Sequence, residues 1–286
     1  MNRKLFKMIK LAFALACVLA LAGCSKADDD PRPVVAVSIV PEQAFVDAVA
    51  GSLVRTVTLI PPGASPETFE MSVIQREDLA LANLYFSIGV QAEDRIMRSV
   101  SGSTRVVKLA DVCDQAYPSL DLGGRRDPHV WLSPSRAIAM VEAIRDELSA
   151  LDPENKAVYE SNAASYIEQI AQAREQISSE LQGVKCRSFI VFHPAFGYFA
   201  DEFGLEMIAL EEDGKEATAS HMAEVIDLAR EKGSRVIFYQ AEADSRQSEA
   251  FAEELGIKAV KLEPLAYDYV GNLKAMADAF KEALDE

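Results

Sequence analysis

The sequence predicts an α/β protein of two lobes, each a four-stranded parallel sheet flanked by helices, joined by one long rigid helix. Strand-like runs rich in β-branched residues alternate with helical stretches, as in "VVAVSIV" at 34–40 and the helical pattern that follows it. The alternation occurs twice along the 286 residues, and a longer helical stretch separates the two occurrences. Continuous apolar strands that alternate with helices are typical of a parallel sheet covered on both faces.

Residues 1–24 have the pattern of a signal peptide. Four basic residues between Arg3 and Lys10 precede the apolar run "LAFALACVLALA", and "LAGC", which resembles a bacterial lipobox, ends the segment at Cys24. Such an apolar run is too short to span a bilayer as a mature helix. We therefore expect lipidation of Cys24 and an extracytoplasmic location, anchored to a bacterial membrane in the periplasm or at the cell surface. The alternative, a cytosolic protein that starts with a buried helix, fits the charge pattern less well.

The next segment, "SKADDDPRP" at 25–33, is expected to be a tether between the lipid anchor and the folded body. The chain has 29 basic and 45 acidic residues, and loss of the four basic signal residues leaves 25 against 45, a net charge of −20. So acidic a protein is not attracted to nucleic acid phosphates. We expect a monomer that binds no nucleic acid.

The first lobe is placed at 34–151. Ser72 and Gln75 have the spacing of a capping box at the start of its second helix. The predicted strands are 34–40, 54–60, 84–89 and 105–110, and the predicted helices lie near 41–50, 72–82 and 91–100.

The linking helix is placed within 152–184. Asp152 is a candidate cap, Pro153 suits the first helical position, and Gly183 follows the end. Thirty helical residues would form a rod of about 45 Å, long enough to reach from one lobe to the other and hold them. A helical hairpin inside one domain is the alternative. An apolar stripe recurs every three or four residues along the helix, at Tyr159, Ala163, Tyr166, Ile170, Ala173, Ile177 and Leu181.

The second lobe is placed at 185–286. If Cys24 carries lipid, Cys113 and Cys186 are the cysteines left to pair, and we expect either a disulfide or two free thiols. The predicted strands are 188–192, 205–210, 235–240 and 258–263, and the predicted helices lie near 195–203, 218–232, 245–255 and 268–284.

Four candidate metal ligands, Glu67, His129, His193 and Glu263, fall near the carboxyl ends of predicted parallel strands, two in each lobe. Open α/β sheets place their ligands at such ends. Two imidazoles and two carboxylates that converge in a crevice between lobes would bind a divalent transition metal. Any one pair is unspecific, and it is the convergence of all four that indicates a metal site.

Several stretches resemble the metal-binding solute-binding proteins of ABC importers for zinc and manganese, from about Val34 to the C-terminus. They are "SPETFEMSVIQREDLALANLYFSIGVQAED", "DPHVWLSP", "DPENKAVYESNAASYIEQI", "VFHPAFGYFADEFGL" and "VKLEPLAYDYVGNL". The resemblance implies two α/β lobes on a rigid helix, metal ligands at the four positions above, and an ABC permease as partner.

The chain departs from this family at the ligand positions. The family usually has histidine where this chain has Glu67, and commonly aspartate where it has Glu263. A histidine at the third position, here His193, is the zinc-type choice. The histidine-rich loop of many zinc members is replaced by "SLDLGGRRD" before His129. We therefore expect Zn²⁺ as the transported ligand, with Mn²⁺ or Fe²⁺ as alternatives.

Five further residues are expected to have roles other than direct metal binding in the first instance. Glu70 is expected to stabilise the following helix rather than bind metal. His221 is expected to be exposed in the first turn of a helix capped by Thr218. Trp131 and Tyr198 are interpreted as wall packing, and Asp268 as a reserve carboxylate for Glu263.

The leading functional hypothesis is capture of a divalent metal ion and its delivery to an ABC permease. The chain has no HExxH pattern, and four protein ligands would close a zinc site to water, so we expect no enzyme activity. The alternatives are the same scaffold with a metal chelate or siderophore-type ligand, for which the single tryptophan supplies few aromatic walls, and a surface adhesin.

Overall fold

The computed structural model describes residues 30–211, 218–242 and 245–285. Pro33–Glu286 form one compact unit. The predicted signal peptide, the lipobox cysteine Cys24 and most of the tether lie outside the described residues. Within the described part of the chain, none of the helices combines the length and apolarity needed to cross a membrane.

The first sheet has four parallel strands, each within a predicted one: β1 (Val34–Val37), β2 (Arg55–Thr58), β3 (Leu84–Ser87) and β4 (Arg105–Lys108). Their order in the sheet is β2-β1-β3-β4. The central strands β1 and β3 are buried on both faces, which explains their continuous apolar runs. The helices of this part are α1 (Val40–Ala50), α2 (Val73–Ala80), α3 (Glu93–Ile96) and the short α4 (Leu109–Cys113).

The predicted capping box at α2 is confirmed. Ser72 Oγ accepts from the Gln75 amide at 3.3 Å, and Gln75 Oε1 accepts from the Ser72 amide at 2.8 Å. Gln75 Nε2 also donates to the Leu59 carbonyl at 2.8 Å, just beyond β2. Both ends of the loop that carries Glu67 are thereby fixed.

The second sheet is also parallel, and its strands are β7 (Ser188–Val191), β8 (Glu206–Ala209), β9 (Val236–Gln240) and β10 (Lys258–Leu262). Their order in the sheet is β10-β9-β7-β8, so the predicted fold class is confirmed. The helices of this part are α7 (Gly197–Phe203), α8 (Ala219–Lys232), α9 (Ser245–Leu255) and α10 (Tyr269–Asp285).

Of the two alternatives predicted for Cys113 and Cys186, free thiols are observed. Cys113 is buried, Cys186 is half-buried, and neither forms a disulfide.

Two elements between the sheets were not predicted. Helix α5 spans Pro134–Leu151, and Ser133 caps it by accepting from the Arg136 amide at 3.2 Å. The Ser-Pro pair was the available signal for its start. The strands β5 (Asp121–Leu122) and β6 (Arg125–Arg126) form a small antiparallel hairpin, too short to carry an alternation pattern.

The long helix α6 spans Lys156–Leu181, 26 residues or about 39 Å, and begins later than predicted. A 3-10 turn, Pro153–Asn155, precedes it. The side chain of Asp152 accepts from Asn155 Nδ2 and the Tyr159 hydroxyl instead of capping the helix. Helix α6 packs on α1, α5 and α10, so it contacts helices of both sheets and also forms a hairpin with α5. The division at 34–151, 152–184 and 185–286 stays a prediction.

Polar contacts fix the two sheets relative to each other. Trp131 Nε1 donates to the Pro264 carbonyl at 2.9 Å, and the Tyr269 hydroxyl donates to the Trp131 carbonyl at 2.7 Å. Trp131 is 1% exposed, in agreement with its predicted packing role. These bonds join the chain before α5 to the chain around β10.

Glu202, on α7, makes a second set of cross-links. Its carboxylate accepts from the Ser133 hydroxyl, from the Ser135 hydroxyl at 2.6 Å and from Arg174 Nε at 2.7 Å, and its side chain is 6% exposed. One buried carboxylate therefore joins α7, the start of α5 and the middle of α6.

Glu202→Ala is expected to lower the free energy of unfolding by about 3 kcal/mol, because several charge-assisted hydrogen bonds are lost together. Urea denaturation would measure the change. Glu175→Ala, an exposed carboxylate next to Arg174 on the same helix, is the matched control and should change stability by no more than about 0.5 kcal/mol. Equal effects of the two variants would contradict a cross-linking role for Glu202.

Candidate metal centre

Three of the four predicted ligands lie together. One ligand atom from each of Glu67, His129 and His193 falls within 4.8 Å of the others, and we call this set the three-residue cluster. His129 Nε2 and His193 Nε2 are 3.4 Å apart, and His193 Nε2 and Glu67 Oε1 are also 3.4 Å apart. Two donors bound at zinc distances to one tetrahedral ion are separated by about 3.3 Å. The cluster therefore has the spacing of a metal-binding set.

His129 is held by Asp127, two residues before it. Asp127 Oδ1 accepts from His129 Nδ1 at 2.7 Å and from the His129 amide at 2.9 Å, and both side chains are 5% exposed or less. The carboxylate fixes the proton on Nδ1 and turns Nε2 toward His193. A Cβ at Gly197 would lie 2.8 Å from Asp127 Oδ2, so glycine there permits this close approach.

His193 lies two residues beyond β7, where the strand order of the second sheet changes direction. Such switch points are where open parallel sheets bind ligands. His193 Nδ1 donates to Glu211 Oε2 at 2.6 Å. Burial lowers the pKa of His193, but the Glu211 hydrogen bond and the charges of Glu67, Glu211 and Asp127 outweigh it, so the pKa is raised overall.

Glu67 lies in the loop between β2 and α2. The hydroxyl of Ser65 donates to Glu67 Oε2, while Oε1 faces His193. The side chain is 32% exposed, so it forms the outer wall of the cluster. Its position relative to both histidines is consistent with a ligand.

Glu263 lies outside the three-residue cluster in this structure. Its carboxylate pairs with Lys261 Nζ at 2.9 Å, and its side chain is 58% exposed. Asp268, the reserve carboxylate, accepts from the Gly271 amide at 3.1 Å at the start of α10. A role for Glu263 in binding the metal stays a prediction.

The remaining candidates contact other groups. Glu70 pairs with Arg95 at 3.6 Å near the surface. His221 is half-buried rather than exposed, and its Nε2 lies 3.2 Å from the Ala209 carbonyl, while Thr218 caps its helix as predicted. The Tyr198 hydroxyl donates to the Asp127 carbonyl at 3.2 Å, so this residue supports the wall next to His129.

Three carboxylates near the cluster were not predicted as part of the site. Asp127 lies two residues before His129 in "DPHVWLSP". Glu211 follows β8, which lies beside β7, and its position at a strand end was the available signal. Glu242 follows β9, and its Oε2 is buried without a hydrogen-bond partner among the described residues. Burial raises the pKa of Glu242, and the charges of Glu263 and Glu67 raise it further.

The two histidines share one arrangement: Nδ1 donates to a carboxylate and Nε2 points into the cluster. Metal-binding histidines are usually fixed in this way, which sets the tautomer and raises the basicity of the ligand nitrogen. Asp127→Asn and Glu211→Gln are each expected to lower zinc affinity by about 10- to 100-fold while the ligands remain. Isothermal titration calorimetry with a competing chelator would measure the loss.

The matched control for these variants is Glu70→Gln, which alters an exposed carboxylate on the same loop as Glu67 that pairs with Arg95. This variant should keep the zinc affinity of the unsubstituted protein. Zinc affinity that is unchanged in both Asp127→Asn and Glu211→Gln would contradict the orienting role of the carboxylates.

A cavity of about 140 Å³ adjoins the cluster. Glu67, His129 and His193 line it together with residues of the β5–β6 hairpin. Pockets for drug-sized ligands occupy about 300–1,000 Å³. A cavity of this size suits an ion with a few small partners.

Comparison with known proteins identifies relatives along the whole described fold. Residues 35–283 match the profile of the ZnuA family, described as zinc-uptake complex component A, periplasmic. The zinc-binding lipoprotein AdcA of Streptococcus pneumoniae R6 is 28% identical over 318 residues, which cover 98% of this chain and 62% of that protein. The chain thus spans less than two thirds of this relative.

Solved structures give the same result. A crystal structure of ZnuA superposes with a TM-score of 0.83 at 32% identity and covers 88% of this chain and 99% of that one. A deletion mutant of ZnuA with zinc bound superposes with a TM-score of 0.83, also at 32% identity, over 89% and 99% of the two chains.

Proposed function

We propose that this chain, which belongs to the ZnuA family of periplasmic zinc-uptake components, captures a divalent transition-metal ion outside the cytoplasmic membrane. It then delivers the ion to an ABC permease. The observation that carries the proposal is the approach of His129 Nε2, His193 Nε2 and Glu67 Oε1, with successive separations of 3.4 Å. Each histidine already donates its other ring nitrogen to a carboxylate, as metal-binding histidines do.

Zinc is the proposed cargo, because two imidazoles and one carboxylate form a mixed N/O set that suits it. Glu67 gives the site a negative charge that a histidine would not, which favours harder cations such as Mn²⁺ and Fe²⁺ more than an all-histidine set would. Glu263 is proposed as a further ligand. Its carboxylate would leave Lys261 and bind the ion when metal enters the site.

Delivery is proposed to depend on two lobes that are fixed relative to each other. Helix α6 packs on helices of both sheets, and Trp131 and Glu202 cross-link them, so metal exchange would take place through local movement around the cluster. Lipidation of Cys24 would keep the protein at the membrane next to the permease. We propose a monomeric, non-catalytic carrier.

Elemental analysis and metal-dependent thermal unfolding test the proposal. Purified protein is expected to contain zinc, and zinc at 100 times its Kd should stabilise the metal-free protein by about 2.7 kcal/mol. Mn²⁺, Fe²⁺, Co²⁺ and Ni²⁺ should stabilise it less. Ca²⁺, which takes six to eight oxygen ligands, is the control and should have no effect. No shift with any transition metal would refute metal capture by this chain.

A further inference from the structure

Two carboxyl groups are buried near each other at the carboxyl end of the first sheet, outside the three-residue cluster. Glu42, in the first turn of α1, is fully buried, and Glu93, the first residue of α3, is 6% exposed. Both accept hydrogen bonds from Ser38, the residue that follows β1. A buried carboxylate is costly unless donors compensate its charge, so each of the two requires an explanation.

Glu42 is the neutral member of this pair. Its Oε2 accepts from the Ser38 and Ile39 amides at 2.8 and 2.9 Å, whereas its Oε1 is buried and has no hydrogen-bond partner among the described residues. Burial and the charge of Glu93 raise the pKa of Glu42 well above its usual range. Glu42 therefore holds a proton, and Glu93 is the charged member.

Glu93 joins the ends of two strands. Its Oε1 accepts from the Ser38 hydroxyl, beyond β1, and from the Ile88 amide at 2.8 Å, and its Oε2 accepts from the Gly89 amide at 2.9 Å, beyond β3. These three donors stabilise the charged form, although burial raises the pKa of Glu93. The carboxylate thus fixes the turn 88–92, which connects β3 to α3.

The same turn supports the loop of Glu67. The Ala92 amide donates to the carbonyl of Pro66, the residue before Glu67, at 2.9 Å. Arg95 Nη2, on α3, donates to the Phe69 carbonyl on the other side of Glu67 at 3.2 Å. The backbone on both sides of this proposed ligand is therefore attached to the turn and to α3.

The hydrogen bonds of Glu93 serve the turn and not its own helix. Helix α3 is only four residues long, and the amides that Glu93 binds belong to Ile88 and Gly89, which precede it. A cap for α3 would instead accept from amides of the first helical turn. The position of Glu93 is thus explained by what the turn carries.

We propose that Glu93 is a positioning residue for the metal ligand Glu67: it fixes the turn that holds the Glu67 loop, and so places the Glu67 carboxylate opposite the two histidines. This inference rests on the proposed function, because Glu67 is a ligand only if the cluster binds metal. The side chain of Glu67 is 32% exposed, against 5% for His129 and 10% for His193. Glu67 is thus the least enclosed of the three and depends most on its backbone support.

A double-mutant cycle tests the proposal. Glu93→Gln puts an NH₂ group where an oxygen accepts from a backbone amide, so two donors face each other and the turn must shift. Zinc affinity should fall about tenfold, the lower end of the loss expected when the support of a ligand is removed. In the Glu67→Ala background the same substitution should change zinc affinity by less than about twofold, because the ligand through which Glu93 acts is absent.

Competition calorimetry measures the four zinc affinities of the cycle. The visible absorption of bound Co²⁺, which reports the metal ligands, supplies a second readout that a loss of stability alone would not change. Glu93→Gln should alter the cobalt spectrum when Glu67 is present and leave it unaltered in Glu67→Ala.

Glu42→Gln is the matched control, because it changes the neighbouring buried carboxyl group, which bonds Ser38 and Ile39 but not the turn. Glutamine is isosteric with protonated Glu42, and its NH₂ group can take the Oε1 position without facing a donor of the described residues. Zinc affinity and the cobalt spectrum should match those of the unsubstituted protein. Ser38→Ala removes only the hydroxyl donor to Glu93 and should give a smaller loss that also depends on Glu67, which decides the matter if Glu93→Gln does not fold.

Equal losses with Glu67 present and absent would overturn the inference, because Glu93 would then act on the lobe as a whole. Unchanged zinc affinity in Glu93→Gln, or in Glu67→Ala, would also overturn it. Each of these outcomes leaves metal capture by the histidines intact. Absence of zinc uptake by the unsubstituted protein would instead refute the proposed function, and the inference with it.

Discussion

Zinc binding is expected to be lost when His129 and His193 are both replaced by alanine. The two imidazoles supply two of the three clustered donors, and loss of a partner that merely orients a ligand already costs about 10- to 100-fold. Removal of both ligands should therefore lower affinity by more than about 1,000-fold. Competition calorimetry would show no zinc uptake, and the zinc-dependent stabilisation of about 2.7 kcal/mol at 100 times the wild-type Kd should disappear.

The third histidine provides the control for this experiment. His221 lies outside the three-residue cluster, and its Nε2 contacts the Ala209 carbonyl, so His221→Ala should keep its affinity for zinc. The single variants His129→Ala and His193→Ala should show intermediate losses, and circular dichroism would verify that each variant is folded. Zinc uptake by the double variant at wild-type affinity would eliminate this site.

The sequence was sufficient to predict that Glu67, His129 and His193 lie close together. Glu67 and His193 follow predicted strands, and parallel strands present their carboxyl ends at one edge of a sheet, so convergence could be expected from order along the chain alone. The strands themselves were predictable because buried β-branched runs have few alternatives. Residues with strong local signals, such as Ser72 and Gln75, behave as predicted.

What could not be predicted depends on contacts distant in sequence. Glu211 reaches His193 across 18 residues because β8 lies beside β7, and no local pattern encodes that neighbour. Glu263 was placed correctly at a strand end, but the direction of its side chain depends on the charge of Lys261. The β5–β6 hairpin, which carries Arg125, is too short to show an alternation of apolar and polar residues. Its proximity to the cluster follows only from the folded chain.

Acidification from pH 7.5 to 5.5 is expected to weaken zinc binding by up to about 100-fold. An imidazole must be deprotonated to bind metal. Below the pKa of an imidazole ligand, each pH unit therefore lowers the apparent zinc affinity by up to about tenfold. The pKa of His193 is raised, since its hydrogen bond to Glu211 and the nearby carboxylate charges outweigh burial. The decline should therefore begin at a higher pH than for an ordinary histidine. Calorimetry across this range measures the slope, and an affinity independent of pH would contradict ligation by His193.

Glu211→Gln tests the origin of that slope. The substitution removes the strongest interaction that raises the His193 pKa, so the decline in affinity should move to lower pH, while affinity at pH 8 falls because the imidazole is less well oriented. A raised histidine pKa favours the metal-free fold at low pH, and that contribution is lost as pH rises through the folded-state pKa. Metal and proton thus compete for Nε2 of His193: acid stabilises the metal-free cluster through the protonated imidazole, and zinc stabilises the deprotonated one. Proton uptake would therefore accompany metal release.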